Sequence, residues 1–70
     1  MPIFIAPLNT DLKVVKMMLD DATKKHLENL GITIGSKLQV ISSESGSVIL
    51  LVKNGRLALD RNVAMKILVA

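Results

Sequence analysis

The sequence has no cysteine among its 70 residues, so a disulfide cannot stabilise it. The same absence removes the thiolate as a nucleophile and as a metal ligand. Tryptophan and tyrosine are also absent, and Phe4 is the single aromatic residue. Proteins that bind single-stranded nucleic acid stack bases on exposed aromatic side chains. We therefore expect no nucleic acid partner, although binding of nucleic acid by a small basic domain is the alternative to test.

Long hydrophobic runs are missing as well. The longest wholly apolar run, Val48–Val52, is far too short to span a bilayer. The opening segment, Met1–Pro7, has no basic start and contains two prolines, so it lacks the pattern of a signal peptide. Its apolar part, Ile3–Ala6, is interpreted as a short strand or as an arm on the surface of the domain. We expect a cytoplasmic protein that reaches a membrane only through a partner.

The hydrophobic residues that are present are largely aliphatic. They make up half of the chain, a high share for a single domain with a small core. Such a domain does not easily cover all its apolar surface alone, which favours a partner or a homo-oligomer. The net charge is +3, and the nine Lys and Arg residues are spread along the sequence. A dispersed excess of this kind is typical of a solvated surface rather than of a polyanion site.

A helix-to-strand transition is predicted around Gly31. Leu27 and Leu30 lie three residues apart and share one helix face. Gly31 follows at the place where a helix often ends in a left-handed turn, and Ile32 could then fold back on the last helical turn. After this point the alternation of apolar and polar residues predicts a strand at Lys37–Ser43.

The segment Leu12–Leu19 is compatible with two structures. Apolar residues at spacings of three and four predict one continuous helix from Asp11 to Leu30. Read as a strand, the segment turns Leu12, Val14 and Lys16 to one face, and Asp20-Asp21 then begins a shorter helix near Asp21–Leu30. The residues of this segment alone leave both structures open.

The second half of the chain is predicted to be β-structure. Asn54-Gly55 indicates a tight hairpin turn, and Asp60 can cap a short helical turn that follows. The predicted segments are a turn at Glu44-Ser45-Gly46, strands at Ser47–Lys53 and Arg56–Asp60, and a last strand containing Ile67 and Val69.

The order and spacing of several short segments resemble the ferrous iron transport protein A family, FeoA, over roughly residues 8–70. The matching residues are Leu27-Glu28-Asn29-Leu30-Gly31-Ile32, Gly35, Leu38-Gln39-Val40-Ile41, Gly55-Arg56-Leu57-Ala58-Leu59-Asp60, Ala64 and Lys66-Ile67-Leu68-Val69. The resemblance implies a mainly β fold, a small SH3-like barrel of about five strands with one short α-helix after the first strand. It therefore favours the strand at Leu12–Leu19. Two places depart from the family pattern: Asn9-Thr10-Asp11 stands where a glycine is usual, and the turn at Glu44-Ser45-Gly46 is short.

The resemblance also implies a function. FeoA-like proteins are small cytosolic accessory proteins of bacterial ferrous iron uptake. The implied partner is the membrane ferrous iron transporter FeoB, which carries a cytosolic GTPase domain. On this interpretation the chain is a protein-protein interaction module. A homo-oligomeric structural barrel and a barrel that binds nucleic acid are the alternatives.

No catalytic or metal-binding set is visible in the sequence. His26 is the single histidine, and the residues three and four positions away from it carry no carboxylate. Asp20-Asp21 and Asp60 are better placed to cap helices than to hold a cation. The serines around the turn at Glu44-Ser45-Gly46 have no recognisable base. We therefore expect no enzyme activity, no metal site and no cofactor.

The candidate partner-binding residues come from strand alternation. If Val48, Leu50 and Val52 fill the core, Ile49 and Leu51 face outward. Either the helix or Met1–Pro7 covers these two side chains, or they form a docking patch. The charged residues that would surround such a patch are Lys24, Lys25, Glu28 and Arg56.

Overall fold

The computed structural model describes residues 1–53 and 55–70. After a one-turn 3-10 helix at Ile3–Ile5, the elements are β1 (Leu12–Met17), α1 (Asp21–Asn29), β2 (Lys37–Ser43), β3 (Ser47–Val52), β4 (Gly55–Asp60), α2 (Arg61–Ala64) and β5 (Ile67–Val69). The strands form one antiparallel sheet in the order β4-β3-β2-β1-β5. The predicted mainly β fold of SH3-like type, with a short helix after the first strand, is confirmed. Neither of the two described α-helices could span a bilayer, since the longer one, α1, has nine residues.

The core lies inside the curved sheet and is wholly apolar in the described residues. Every strand contributes to it, and so does the chain on both sides of α1. Its largest fully buried side chains are Ile3, Val14, Ile32, Val40, Val48, Leu50, Ile67 and Val69. Burial of these aliphatic side chains is the main source of stability in a domain that has no disulfide.

Strand β1 settles the ambiguity of the segment Leu12–Leu19, but its alternation is not regular. Leu12 and Val14 share one face, which is buried, whereas Val15 and Lys16 are both exposed and Met17 turns inward. The pairing of β1 with β5 shifts between Val14 and Lys16, which marks a β-bulge. The extra residue at the bulge reverses the face of every residue that follows it.

The N-terminal segment is part of the core rather than an arm on its surface. Ile3 is fully buried, and Ala6 is buried beside it. The predicted strand at Ile3–Ala6 is a 3-10 turn instead, closed by a bond from the Ala6 N–H to the Ile3 carbonyl. Asn9, which follows it, has a φ of 56°. Asparagine tolerates this left-handed conformation better than most residues, so it can stand where the family pattern has a glycine.

Helix α1 begins and ends as its sequence predicts. At its start, the Asp20 carboxylate accepts a hydrogen bond of 2.8 Å from the Thr23 N–H. At its end, Gly31 has a φ of 97°. The Gly31 N–H donates to the Glu28 carbonyl over 3.0 Å, and the Ile32 N–H donates to the Leu27 carbonyl over 2.9 Å. This pair of bonds is the Schellman motif, and buried Ile32 and Leu27 supply its apolar contact.

The chain after β3 follows the prediction with one change. Val52 pairs with Gly55, so Gly55 is the first residue of β4 and not a turn residue. The other predicted turn residue, Asn54, lies outside the described residues. Asp60 caps α2, since its carboxylate accepts a bond of 2.8 Å from the Val63 N–H.

The cap of α1 predicts a pH dependence. The hydrogen bonds from the side chain and backbone of Thr23 lower the pKa of Asp20 below its ordinary value of 3.8. A lowered pKa means that the cap stabilises the fold above about pH 4 and loses this effect as the pH falls through the folded-state pKa. The Asp20→Asn variant keeps an acceptor but cannot titrate, so its stability should fall less steeply on acidification. Urea unfolding between about pH 5 and pH 2 measures this difference, and parallel curves for the two proteins would contradict it.

Candidate protein-interaction surface

Two apolar side chains of β3 point away from the core. Val48, Leu50 and Val52 are buried, whereas Ile49 is 38% exposed and Leu51 is 42% exposed. The expectation that the helix or Met1–Pro7 covers them is wrong. The 3-10 turn packs mainly against β2, α2 and β5. We call the solvent side of β2, β3 and β4 that carries Ile49 and Leu51 the outer face.

The register of the sheet defines the neighbours of these two side chains. Leu51 lies between Gln39 on β2 and Arg56 on β4. Ile49 lies between Ser42 and Ala58 in the same way. Residues directly opposite each other on antiparallel strands have adjacent side chains. The predicted basic residue Arg56 therefore stands beside the apolar centre formed by Ile49 and Leu51.

A shallow groove of about 220 Å³ runs along one side of Leu51. Its lining consists of Asp11, Lys37, Leu38, Gln39, Leu51 and Val52. The Gln39 Nε2 donates a hydrogen bond of 2.6 Å to the Asp11 Oδ1. This bond holds the amide and the carboxylate together at the edge of the groove, so the polar border of Leu51 is structured.

Three lysines lie near one end of the outer face: Lys13 on β1, Lys37 on β2 and Lys53 just after β3. Lys13 on β1 is directly opposite Lys37 on β2. Lys53, the residue after β3, lines a second groove together with Lys37, and the other residues of its lining are Gly31, Gly35 and Ser36. Like charges opposite each other destabilise a strand pair. An acidic partner would relieve this repulsion.

The sequence alone did not indicate the row formed by Lys13, Lys37 and Lys53. Lys13 and Lys37 are 24 residues apart along the chain, and Lys37 and Lys53 are 16 residues apart. Such wide spacing is typical of charges dispersed over a surface. Only the register of β1 with β2 and of β2 with β3 brings Lys13, Lys37 and Lys53 into line. The signal that could have found them is the pairing of the strands, which single-sequence patterns do not give.

The helix residues named as candidates lie elsewhere. Lys24 is half-buried, and Lys25 and Glu28 are exposed. The start of α1 borders a separate groove of about 310 Å³, formed with α2 and lined by Met18, Leu19, Asp20, Thr23, Asn62, Val63 and Lys66. The groove beside Leu51 contains no residue of α1. The structure therefore joins Arg56 to the apolar centre but does not bring Lys24, Lys25 and Glu28 into that groove.

The side chains considered for metal binding or catalysis lie on the surface or stabilise the ends of helices. His26 is exposed on α1, and both Asp20 and Asp60 accept helix-capping bonds. In the described residues, no three or more histidine and acidic side chains form a group that could hold a metal ion. Among the serines near the β2–β3 turn, the Ser43 hydroxyl donates to the Phe4 carbonyl over 3.3 Å.

The single aromatic ring is not a free stacking platform. Phe4 is half-buried against the core. The guanidinium of Arg61 lies over its ring, 5.2 Å from the centroid, in a cation–π contact. A nucleic acid base would have to displace Arg61 to stack on this ring.

Comparison with known proteins gives one consistent result. The family model described as "FeoA domain" matches residues 1–70. A curated protein of Methanocaldococcus jannaschii named "Fe(2+) transport protein A" is 37% identical over 68 residues, which covers 97% of this chain and 83% of that protein.

Solved structures have the same fold. A crystal structure titled "Iron Uptake Regulatory Protein (FeoA)" superposes with a TM-score of 0.88 at 23% identity, covering 99% of this chain and 93% of that one. The solution structure of the FeoA protein from Chlorobium tepidum gives a TM-score of 0.84 at 22% identity, with 99% and 68% covered. At these identities the likeness establishes the fold.

Proposed function

Because the chain belongs to the FeoA domain family, we propose that it is an accessory protein of ferrous iron uptake that acts by contact with the FeoB transporter. The family supports the role in ferrous iron uptake. The finer assignment is that this chain binds the cytosolic GTPase-bearing part of the transporter, in the cytoplasm, and biases its assembly or nucleotide cycle without chemistry of its own.

The observation that supports this proposal is the composition of the outer face. Stable protein contacts have an apolar centre surrounded by charged or polar groups. Ile49 and Leu51 supply an exposed apolar centre, and Arg56 stands directly beside it. Lys37 and Lys53 border the same face. The complementary partner surface has an apolar contact surrounded by acidic side chains.

We expect the Leu51→Asp variant to bind the purified cytosolic part of the transporter at least about tenfold more weakly than the wild type. Aspartate places a charge in the apolar centre, where association would bury it unpaired. The fold should persist, because Leu51 is 42% exposed in the free protein. Calorimetry and pull-down measure the affinity, and circular dichroism with size exclusion checks the fold.

Two other variants distinguish this surface from the rest of the molecule. Ile5→Asp makes a similar change at a side chain that is 65% exposed on the 3-10 turn, and it should leave binding unchanged. Lys24→Glu changes a charge on α1, away from that groove, so it should act mildly and mainly on the association rate through the long-range field of the protein. If Leu51→Asp unfolds the chain, Leu51 is a core residue. If it preserves both fold and binding, the docking surface lies elsewhere, with the exposed face of α1 as the next candidate.

The row formed by Lys13, Lys37 and Lys53 favours a nucleic acid instead. Binding through phosphates weakens steeply as salt rises. Fluorescence anisotropy with labelled single-stranded oligonucleotides over a salt series separates the two functions. Salt-dependent saturation with RNA or DNA, without binding to the transporter, would replace our proposal.

A further inference from the structure

Strand β4 forms one border of the sheet. It pairs along all six of its residues with β3, from Val52–Gly55 to Ser47–Asp60. In the part of the chain that the structure describes, no strand pairs with its other edge. An edge of this length presents unpaired backbone N–H and carbonyl groups to any strand that can approach.

The hydrogen-bond pattern identifies which residues face this edge. The Arg61 N–H, just past the end of β4, donates to the Gly46 carbonyl over 3.0 Å, on the β3 side. Backbone groups of successive residues point alternately to the two edges of a strand. Leu59, Leu57 and Gly55 therefore bond to β3, in step with Arg61. The intervening residues Arg56 and Ala58 direct their N–H and carbonyl groups to the unpaired edge. Asp60 directs its N–H there, while its carbonyl belongs to the first turn of α2.

The edge of β4 is complementary to itself. When two copies of Gly55–Asp60 run antiparallel about a two-fold axis at Ala58, Arg56 of each copy faces Asp60 of the other. Two registers that oppose outward-facing residues overlap five of the six positions, and of these only the one centred on Ala58 places Arg56 opposite Asp60. It gives two oppositely charged cross-strand pairs, which stabilise a strand pair. We propose that two copies of this chain associate through their β4 edges, independently of any transporter.

The side chains support the same arrangement. Arg56, Ala58 and Asp60 lie on the outer face, where Ala58 is small enough to meet its own copy at the axis. The Asp60 cap uses Oδ1, so its second oxygen is available to Arg56 of the other copy. On the inner side, half-buried Leu57 would lie opposite Leu59 of the second copy and lose exposed apolar area. The outer faces of the two copies then join into one surface with two apolar centres.

A single strand edge makes a small interface, so the dimer should be weak and dependent on concentration. Sedimentation equilibrium over a roughly hundredfold concentration range should show a monomer–dimer equilibrium, as mass action requires. Arg56→Glu replaces two attractive pairs by two repulsive ones and should weaken the dimer roughly tenfold or more. Lys37→Glu is the matched control, since it makes the same charge change on the central strand β2, and it should leave the equilibrium unchanged.

Two further measurements locate the contact. Ala58→Pro removes an N–H that faces the unpaired edge rather than β3, so the monomer should fold while the dimer is lost. In hydrogen exchange, the amides of Arg56 and Ala58 should exchange rapidly at low concentration and become protected at high concentration. A chain that stays monomeric throughout the range would overturn the proposal. So would a dimer that Arg56→Glu does not weaken or that leaves these two amides unprotected.

Discussion

The Gly31→Val variant should melt about 10 to 20 °C below the wild type. Gly31 ends α1 with a φ of 97°, and both hydrogen bonds of the Schellman motif depend on that conformation. A residue with a side chain held at positive φ costs of order 1–3 kcal/mol, and β-branched valine belongs at the upper end, about 2–3 kcal/mol. In a domain of this size each kcal/mol lowers the melting temperature by roughly 4–8 °C. Thermal unfolding followed by circular dichroism measures the change.

Gly46→Val is the matched control for that variant. Gly46 lies in the turn between β2 and β3, its φ is not in the left-handed region, and a Cβ built there meets nothing within 4 Å. The same substitution should therefore change the melting temperature by no more than a few degrees. An unchanged melting temperature for Gly31→Val would show that Gly31 does not hold the left-handed conformation. Equal losses at Gly31 and Gly46 would mean that valine in any turn, rather than the positive φ, is responsible.

Gly31 also shows which parts of the fold are readable from the sequence. Helix ends are determined by residues within about four positions of each other, so their chemistry is local. For this reason the Asp20 cap, the stop at Gly31, the fold-back of Ile32 and the Asp60 cap were all predicted correctly. The strand predicted at Leu12–Leu19 was not determined by neighbouring residues in this way. The local pattern of its residues slightly favoured one long helix, and the resemblance to a family decided for the strand.

The errors in the fold occur where the pairing of distant strands decides the structure. Strand β1 was given a regular alternation, yet its bulge between Val14 and Lys16 exposes Lys16 and buries Met17. The Ile3–Ala6 segment was predicted as a strand or a surface arm, because its apolar residues do not show what they pack against. Ile3 instead fills the core between elements that are far away in the sequence.

The interaction surface also has one part that local pattern predicted and another that depends on strand pairing. Alternation within β3 predicted that Ile49 and Leu51 point outward, and the structure shows both exposed. Which charges surround them depends on register: Arg56 is adjacent to Leu51, whereas Lys24, Lys25 and Glu28 are not part of its groove. The row of Lys13, Lys37 and Lys53 and the self-complementary edge of β4 emerge only after the strands are paired. That these residues bind a partner stays a prediction.

The Leu50→Ala variant should lose about 3 kcal/mol of unfolding free energy. Leu50 is fully buried in the middle of β3, and it faces Val40 and Leu57 across the two strand pairs. Removing a buried leucine side chain costs the transfer free energy of its atoms plus that of the cavity, roughly 2–5 kcal/mol in all. The domain as a whole holds roughly 4–10 kcal/mol, so the variant should remain folded enough for urea denaturation to measure the loss.

Leu51→Ala is the control for this measurement, because it makes the identical change one residue further along the same strand. Leu51 is 42% exposed on the outer face, so its truncation leaves no cavity and should cost less than about 1 kcal/mol. The contrast between adjacent leucines tests the assignment of the two faces of β3 directly. If both variants lose the same free energy, Leu51 is packed like Leu50, and the apolar centre on which the proposed transporter contact depends does not exist. If only Leu50→Ala is destabilised, Leu51 lies outside the core of the monomer, and its side chain is available as the apolar centre of the proposed contact.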